Sequence, residues 1–251
     1  FKAKLLDDDT AKLKAYIAGK AFDYQPHFLA CVGLHLFLGQ RSLDIFGLRW
    51  EAPVSEEEKL ACSGWLLDGW ETVDKPKLYL WDMKNRKGAK IYIDQDSLAI
   101  LKRLKEANLR DKNSWALKSC YVFPQKHNPM KCVTYTSYQK PLAKLNSTLG
   151  FEKLEGDNIP RVKGKRKIFS MKIARKTFAT EVARNKGGVE LASRKLNHSS
   201  PATTRRNYIV PDDSVMEIEN LYEKSLPNDG VVIVKRDKKS PWSDKRLIDK
   251  K

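Results

Sequence analysis

Arginines at 41 and 175, a lysine at 172, a histidine at 198 and a tyrosine at 208 occupy three short stretches whose residue types suit chemistry on a phosphodiester. Cutting such a bond without a metal needs a nucleophile, positive charge on the non-bridging oxygens as the phosphorane forms, and an acid for the departing oxygen. Arginine suits the second task, because its planar fork stays protonated and grips two phosphate oxygens at once. A metal-free site is therefore expected to draw on two arginines distant in the chain and convergent in space. Taken singly, Arg41 or Arg175 reads as a surface or salt-bridge arginine, His198 as a capping or core histidine, and Tyr208 as a helix-end aromatic. Their order along the chain, with their neighbours, gives them a common meaning.

The first stretch reads Gly39-Gln40-Arg41-Ser42-Leu43-Asp44-Ile45-Phe46-Gly47-Leu48-Arg49-Trp50. The second is Lys172-Ile173-Ala174-Arg175-Lys176-Thr177-Phe178-Ala179-Thr180, and the third Leu196-Asn197-His198-Ser199-Ser200, followed by Thr203-Thr204-Arg205-Arg206-Asn207-Tyr208. In that order, from Leu38 to Val210, they resemble the motifs of the tyrosine recombinases, or phage-type integrases. The resemblance implies that Arg41 and Arg175 clamp the scissile phosphate, that Asp44 is a structural support, that His198 donates a hydrogen bond to the phosphate and that Tyr208 is the nucleophile. Lys172 stands where the family has histidine, which keeps a proton-carrying cation but changes its pKa. Type IB topoisomerases tolerate lysine at this place. Asn197 replaces the family's glycine, and Tyr208 lies ten residues after His198 instead of nine, implying a one-residue insertion around Pro201; no other tyrosine competes in that window. Trp81-Asp82-Met83-Lys84-Asn85-Arg86-Lys87-Gly88-Ala89-Lys90-Ile91 resembles the hairpin that carries the family's general-acid lysine. Lys84, at the end of the first strand, is assigned that role, with Lys87 and Lys90 as open alternatives.

The same resemblance implies site-specific DNA cleavage and rejoining through a 3′-phosphotyrosyl intermediate, with no metal, nucleotide or other cofactor. Its partner is double-stranded DNA, its working form a homotetramer on two duplexes, and a monomer without DNA is compatible with it. The implied fold is mainly α with a small three-stranded antiparallel sheet, the DNA breaking-rejoining catalytic domain, over residues 1–226. Residues 227–251 are expected to form a tail that packs in trans or stays disordered, and Ser214 to Val234 is the candidate for docking on a neighbouring protomer. The family's N-terminal core-binding domain is not recognisable, and a chain opening at Phe1 in an already helical pattern reads as a fragment. Two rivals are weighed against this. A type IB topoisomerase shares the chemistry and the lysine-x-x-arginine spelling, but the glycine-x-arginine text with Asp44 and Leu48-Arg49-Trp50 reads as recombinase. A non-catalytic DNA-binding relative would need a lost catalytic residue, and the one changed position, Lys172, is a tolerated change.

Composition agrees with a phosphate-binding partner. Lysine and arginine total 48 against 31 acidic residues, a formal charge of +17, and the pI is about 9.6. Such an excess is the electrostatic footprint of a nucleic-acid binder. From Arg161 to Lys167 five of seven residues are cationic (Arg161, Lys163, Lys165, Arg166, Lys167), which reads as a phosphate contact, and Lys176 and Arg205 are expected as backbone contacts. The widely spaced Cys31, Cys62, Cys120 and Cys132 form no zinc pair or dense disulfide framework, so a reduced, cytoplasmic, nucleoid-associated chain is expected. The longest apolar run, Phe28 to Leu38, is too short to span a bilayer and reads as a buried helix, so no membrane partner is expected.

The elements that must position these residues can be read from periodicity. Helical spacing from Thr10 to Leu38 is interrupted at Gly39-Gln40-Arg41, and Ser42 is expected to cap a short helix ending near Trp50, followed by an acidic loop over Ser55 to Glu58. Trp65 to Trp70, Lys77 to Met83 and Ala89 to Ile93 are β-rich runs separated by turns. Helices are expected over Ser97 to Ala107, Ser137 to Leu149, Met171 to Asn185, Val189 to Leu196, Pro201 to Val210 and Ser214 to Leu226.

Overall fold

The computed structural model describes residues 5, 7–82, 87–111, 114–151, 169–185, 188–198 and 200–209. All of them belong to one unit that closes at Val210; the expected helix over Ser214 to Leu226 and the tail fall in a second unit, Pro211–Lys251, outside the described residues.

The chain opens with α1 (Asp7–Ala18), α2 (Ala21–Tyr24) and α3 (Pro26–Leu38). Pro26 opens α3, where its missing N–H costs nothing. The apolar run inside α3 makes it the central helix: Leu29, Ala30, Cys31, Val32 and Leu34 are fully buried, each large aliphatic side chain contributing about 1.5–3 kcal/mol. After Gly39 come α4 (Ser42–Phe46) and a two-residue strand, β1 (Leu48–Arg49). The short helix ends at Gly47, earlier than expected, and its cap is the residue before Ser42: the Arg41 backbone N–H donates to the Asp44 carboxylate at 3.1 Å. The expected acidic loop is instead α5 (Glu56–Ala61), with the Ser55 side chain accepting from the Glu58 N–H. Ser-x-x-Glu is a helix-start signature, and the acidic first turn suits the helix dipole.

A four-stranded sheet follows: β1, β2 (Gly64–Leu66), β3 (Lys77–Asp82) and β4 (Lys87–Tyr92), in that order. The three expected antiparallel strands are present, and β1 adds a fourth, parallel to β2 with Leu48 opposite Gly64. Two residues are too few for periodicity to reveal. Leu66, Leu78 and Leu80 turn into the core, while Trp65 and Tyr79 stack on the other face with Lys90 as the cross-strand neighbour of Tyr79.

Asp94 caps α6 (Gln95–Arg110), whose Leu98, Leu101 and Leu104 pack toward the core. A small hairpin, β5 (Pro124–Gln125) and β6 (Asn128–Cys132), lies where only a helix stop was expected, and a 3-10 turn at Tyr135–Tyr138 leads into α7 (Gln139–Leu149). The last three helices among the described residues are α8 (Met171–Asn185), α9 (Gly188–Lys195) and α10 (Pro201–Asn207), close to their expected bounds. Among the described residues no helix is long and apolar enough to cross a membrane.

Two apolar clusters share α8. Met171, Ile173 and Ala174 belong to the main core, whereas Phe178, Ala179 and Val182 join Ala192 and Leu196 in a smaller cluster. Gly39 links the two. Its φ of +64° is left-handed, and any Cβ there would overlap the Phe178 ring. Gly39→Ala is therefore expected to cost about 2–4 kcal/mol, combining left-handed strain with overpacking. Urea unfolding of the two chains, compared at equal m-value, checks this; a loss below about 1 kcal/mol would contradict it.

Candidate active site

Arg175 stands on α8 one turn after Lys172, and the two differ sharply in surroundings. Lys172 is exposed, whereas Arg175 is only 4 % exposed. A buried guanidinium must spend its N–H groups on acceptors. One terminal nitrogen donates to the Gly39 carbonyl at 2.7 Å, and the other to the Leu196 carbonyl at 3.2 Å and to His198 Nε2 at 2.9 Å. Its Nε has no hydrogen-bond partner. A single side chain thus joins the stretches around Arg41 and His198. Burial lowers the Arg175 pKa, Tyr208 opposes this, and the charge of Arg41 adds to the lowering.

His198 follows Asn197, whose φ of +53° is left-handed, the conformation that asparagine tolerates best after glycine. Arginine can only donate, so His198 Nε2 accepts, and the ring proton sits on Nδ1, donating to Thr204 Oγ1 at 2.7 Å. Burial, then the charges of Arg175 and Arg41, push His198 down to about 4. Neutral at ordinary pH, the ring meets Tyr208 at 4.8 Å between centroids, and the Arg175 guanidinium carbon lies 5.1 Å from the Tyr208 ring centre.

Tyr208 ends α10. Its N–H donates to the Thr204 carbonyl at 2.9 Å, and its own carbonyl accepts from Thr180 Oγ1 at 3.3 Å. The threonine-phenylalanine-alanine-threonine text after Arg175 thereby acquires a purpose: Phe178 covers Gly39 and Thr180 anchors Tyr208.

Arg41 is exposed, and its charge is felt by both Arg175 and His198. Asp44 acts on the Arg41 backbone and, through its own carbonyl, on Ser63 Oγ at 2.7 Å, as a support would. Gln40, 1 % exposed, donates to the carbonyls of Leu38 at 2.9 Å and Lys195 at 2.7 Å, bolting the Arg41 turn to the end of α9. Beneath them His35 donates from Nδ1 to the Cys31 carbonyl at 2.7 Å and accepts from Ser42 Oγ at 3.2 Å. Gln40, Thr180 and Thr204 were not singled out from spacing, because nothing local marks a polar side chain for a partner so far along the chain.

The structure therefore brings together Arg41, Arg175, His198 and Tyr208. Lys84 lies outside the described residues, as do Arg161, Lys163, Lys165, Arg166 and Lys167. Of the alternative lysines, Lys90 is exposed on β4, and Lys87 opens that strand opposite Asp82. Lys176 is half-buried on α8 and Arg205 exposed on α10. Cys31, Cys62, Cys120 and Cys132 are all free thiols.

No protein-family model matches the chain, and no curated protein matches it in sequence. Solved structures do. The chain is similar to XerA recombinase, with 17 % identity and a TM-score of 0.59, over 88 % of this chain and 65 % of that one. It is similar to XerH site-specific recombinase bound to its difH substrate before cleavage (17 %, TM-score 0.55, 86 % and 53 %) and to a lambda integrase tetramer bound to a Holliday junction (15 %, TM-score 0.51, 92 % and 51 %). The chain has the fold of the tyrosine recombinase catalytic domain. It spans 65 % and 53 % of the length of the XerA and XerH chains.

The buried imidazoles make stability depend on pH. Burial lowers His35 to about 4, the Cys31 carbonyl opposing and the Arg175 charge adding to the shift. A folded chain holding His35 neutral binds fewer protons than the unfolded chain, so this contribution is whole above about 6.5 and drains as pH falls toward about 4. The limiting slope is about 1.4 kcal/mol per pH unit. His35 alone is expected to contribute about 2 kcal/mol to the difference in urea-unfolding stability between about pH 7 and about pH 5, so that difference should be smaller by about this amount in a His35→Asn chain; equal pH dependence in the two chains would contradict the assignment.

Proposed function

We propose that this chain carries the catalytic machinery of a site-specific DNA recombinase that cuts and rejoins strands through Tyr208. The observation that carries the reading is the convergence on Arg175 of His198 at 2.9 Å and the Tyr208 ring at 5.1 Å, with the Arg41 charge close by.

In this mechanism Arg41 and Arg175 grip the non-bridging oxygens of one DNA phosphate, with Lys172 and His198 beside them. The Tyr208 oxygen attacks phosphorus, a P–O bond to tyrosine forms, and the bond to the 5′ oxygen breaks. The phenol proton is released to water, and the departing oxygen takes a proton from Lys84, or from Lys87 or Lys90 in its place. The 3′-phosphotyrosyl ester conserves the bond energy, so a 5′ hydroxyl of a second duplex can reverse the step and complete an exchange. Activation comes from the cationic pocket stabilising phenolate and transition state, not from a strong base. Charge on the phosphate is carried by side chains, so the step is metal-independent. The basic stretch from Arg161 to Lys167, with Lys176 and Arg205, tracks the duplex backbone. XerH is bound to a DNA substrate and lambda integrase is a tetramer on a Holliday junction, which supports duplex DNA as partner and a homotetramer as working form.

Tyr208→Phe is expected to abolish the covalent adduct on a nicked duplex, in the presence of EDTA as well as magnesium, while DNA affinity stays within about threefold. Arg175→Lys should slow adduct formation by about 100-fold or more. An adduct that persists in Tyr208→Phe would overturn the reading, and relaxation of supercoiled DNA without site preference would turn it toward a topoisomerase.

A further inference from the structure

Thr204 belongs to none of the roles above, yet it touches both halves of the candidate site. Its side chain is completely buried. Its hydroxyl meets His198 Nδ1 at 2.7 Å, and its carbonyl receives the N–H groups of Tyr208 at 2.9 Å and Ile209 at 3.2 Å. An ordinary helical threonine needs no partner six residues upstream, and the hydroxyl is the only group bonded to Nδ1 among the described residues. The consequence is chemical. With Nδ1–H donated to Thr204, the neutral ring keeps its lone pair on Nε2, where Arg175 supplies the hydrogen bond. The site is thus closed on itself, arginine to imidazole, and a phosphate entering between them must replace that bond. His198 then has to present an N–H from Nε2. A hydroxyl suits the change because it both accepts and donates: it holds Nδ1–H while a second proton arrives on Nε2, or turns to donate to Nδ1 if the ring stays neutral.

We propose that Thr204 is a positioning residue, which accepts the His198 Nδ1–H and so holds the ring with Nε2 against Arg175, the partner that fixes the Nδ1–H tautomer, and facing the phosphate that displaces it. The proposal rests on the recombinase reading for its effect on rate, but not for the tautomer. The group that holds a working histidine by its far nitrogen matters in proportion to how far the ring can swing, and misplacement by about 1 Å at a reacting centre costs up to roughly 100-fold.

Three chains test it: Thr204→Val, which keeps shape and loses the hydroxyl, Thr204→Ser, which keeps the hydroxyl, and His198→Ala. The protein has four histidines, so nitrogen-15 NMR resolves their rings individually. The wild-type and Thr204→Ser chains should show His198 as the single Nδ1–H tautomer, and in Thr204→Val, where Nδ1–H has no acceptor, the ring should swing off Arg175 and show a mixture of the two tautomers. Adduct formation should slow by about tenfold or more in Thr204→Val at nearly unchanged DNA affinity, and by less than about threefold in Thr204→Ser. In a His198→Ala background Thr204→Val should cost nothing further. An unchanged tautomer in Thr204→Val, or an equal slowing with and without His198, would overturn the proposal. If the wild-type chain forms no adduct at all, the recombinase reading fails, while the tautomer comparison still decides the role of Thr204.

Discussion

The guanidinium of Arg175 is a permanent charge taken almost entirely out of water, and the neighbouring loops are shaped by the need to satisfy it. Effective penalties for burying such a charge run to several kcal/mol, and an unpaired one is not tolerated. Here two backbone carbonyls and an imidazole nitrogen receive its donors. Those acceptors come from Gly39, Leu196 and His198, so satisfying one charge fixes the turn before Arg41 and the loop after α9 against α8. None of the three carries a negative charge. The positive charge is hydrogen-bonded without being neutralised, the electrostatic condition under which an arriving phosphate gains most.

The backbone is built to allow this. Gly39 sits where only glycine fits both the left-handed φ and the Phe178 ring, and its carbonyl is then free to face Arg175. Asn197 takes the corresponding left-handed step before His198. Gln40 closes the third side, donating across to the last turn of α9. Replacing Gln40 removes the donor to the Leu38 and Lys195 carbonyls, and each unmet group costs about 1–3 kcal/mol, whereas replacing Gly39 or Asn197 costs through left-handed strain.

Much of this was legible in the sequence, for reasons specific to each element. The long amphipathic or apolar helices, α3, α6 and α8, were readable because period and length agree. Arg41, Arg175, His198 and Tyr208 were expected to converge because four ordinary residues in one order resemble a known pattern. What escaped was of two kinds. Short elements gave no period: β1 has two residues, β5 two, and α5 was hidden because three glutamates read as a solvated loop even though Ser55 marks a helix start. Long-range polar contacts gave no signal either, since the bond from Gln40 to Lys195 joins positions 155 apart, and the partner of a buried glutamine cannot be inferred from its neighbours.

The division of α8 between two apolar clusters bears on how the site works. Its first half, with Ile173 and Ala174, is locked into the main core, which fixes Arg175. Its second half rests with Phe178, Ala179 and Val182 on a cluster of five buried residues, against which Tyr208 and Ile209 pack only partly buried. Less apolar surface holds the tyrosine than holds the arginine, and local opening follows the apolar burial that opposes it. In the proposed mechanism the rigid half would carry the charge to be preorganised for the transition state, while the looser cluster would support Tyr208, the group that would have to reach phosphorus and stay attached to it while the other strand departs. A site built the opposite way, with a fixed tyrosine and a mobile arginine, would spend transition-state stabilisation on reorganising its own charge.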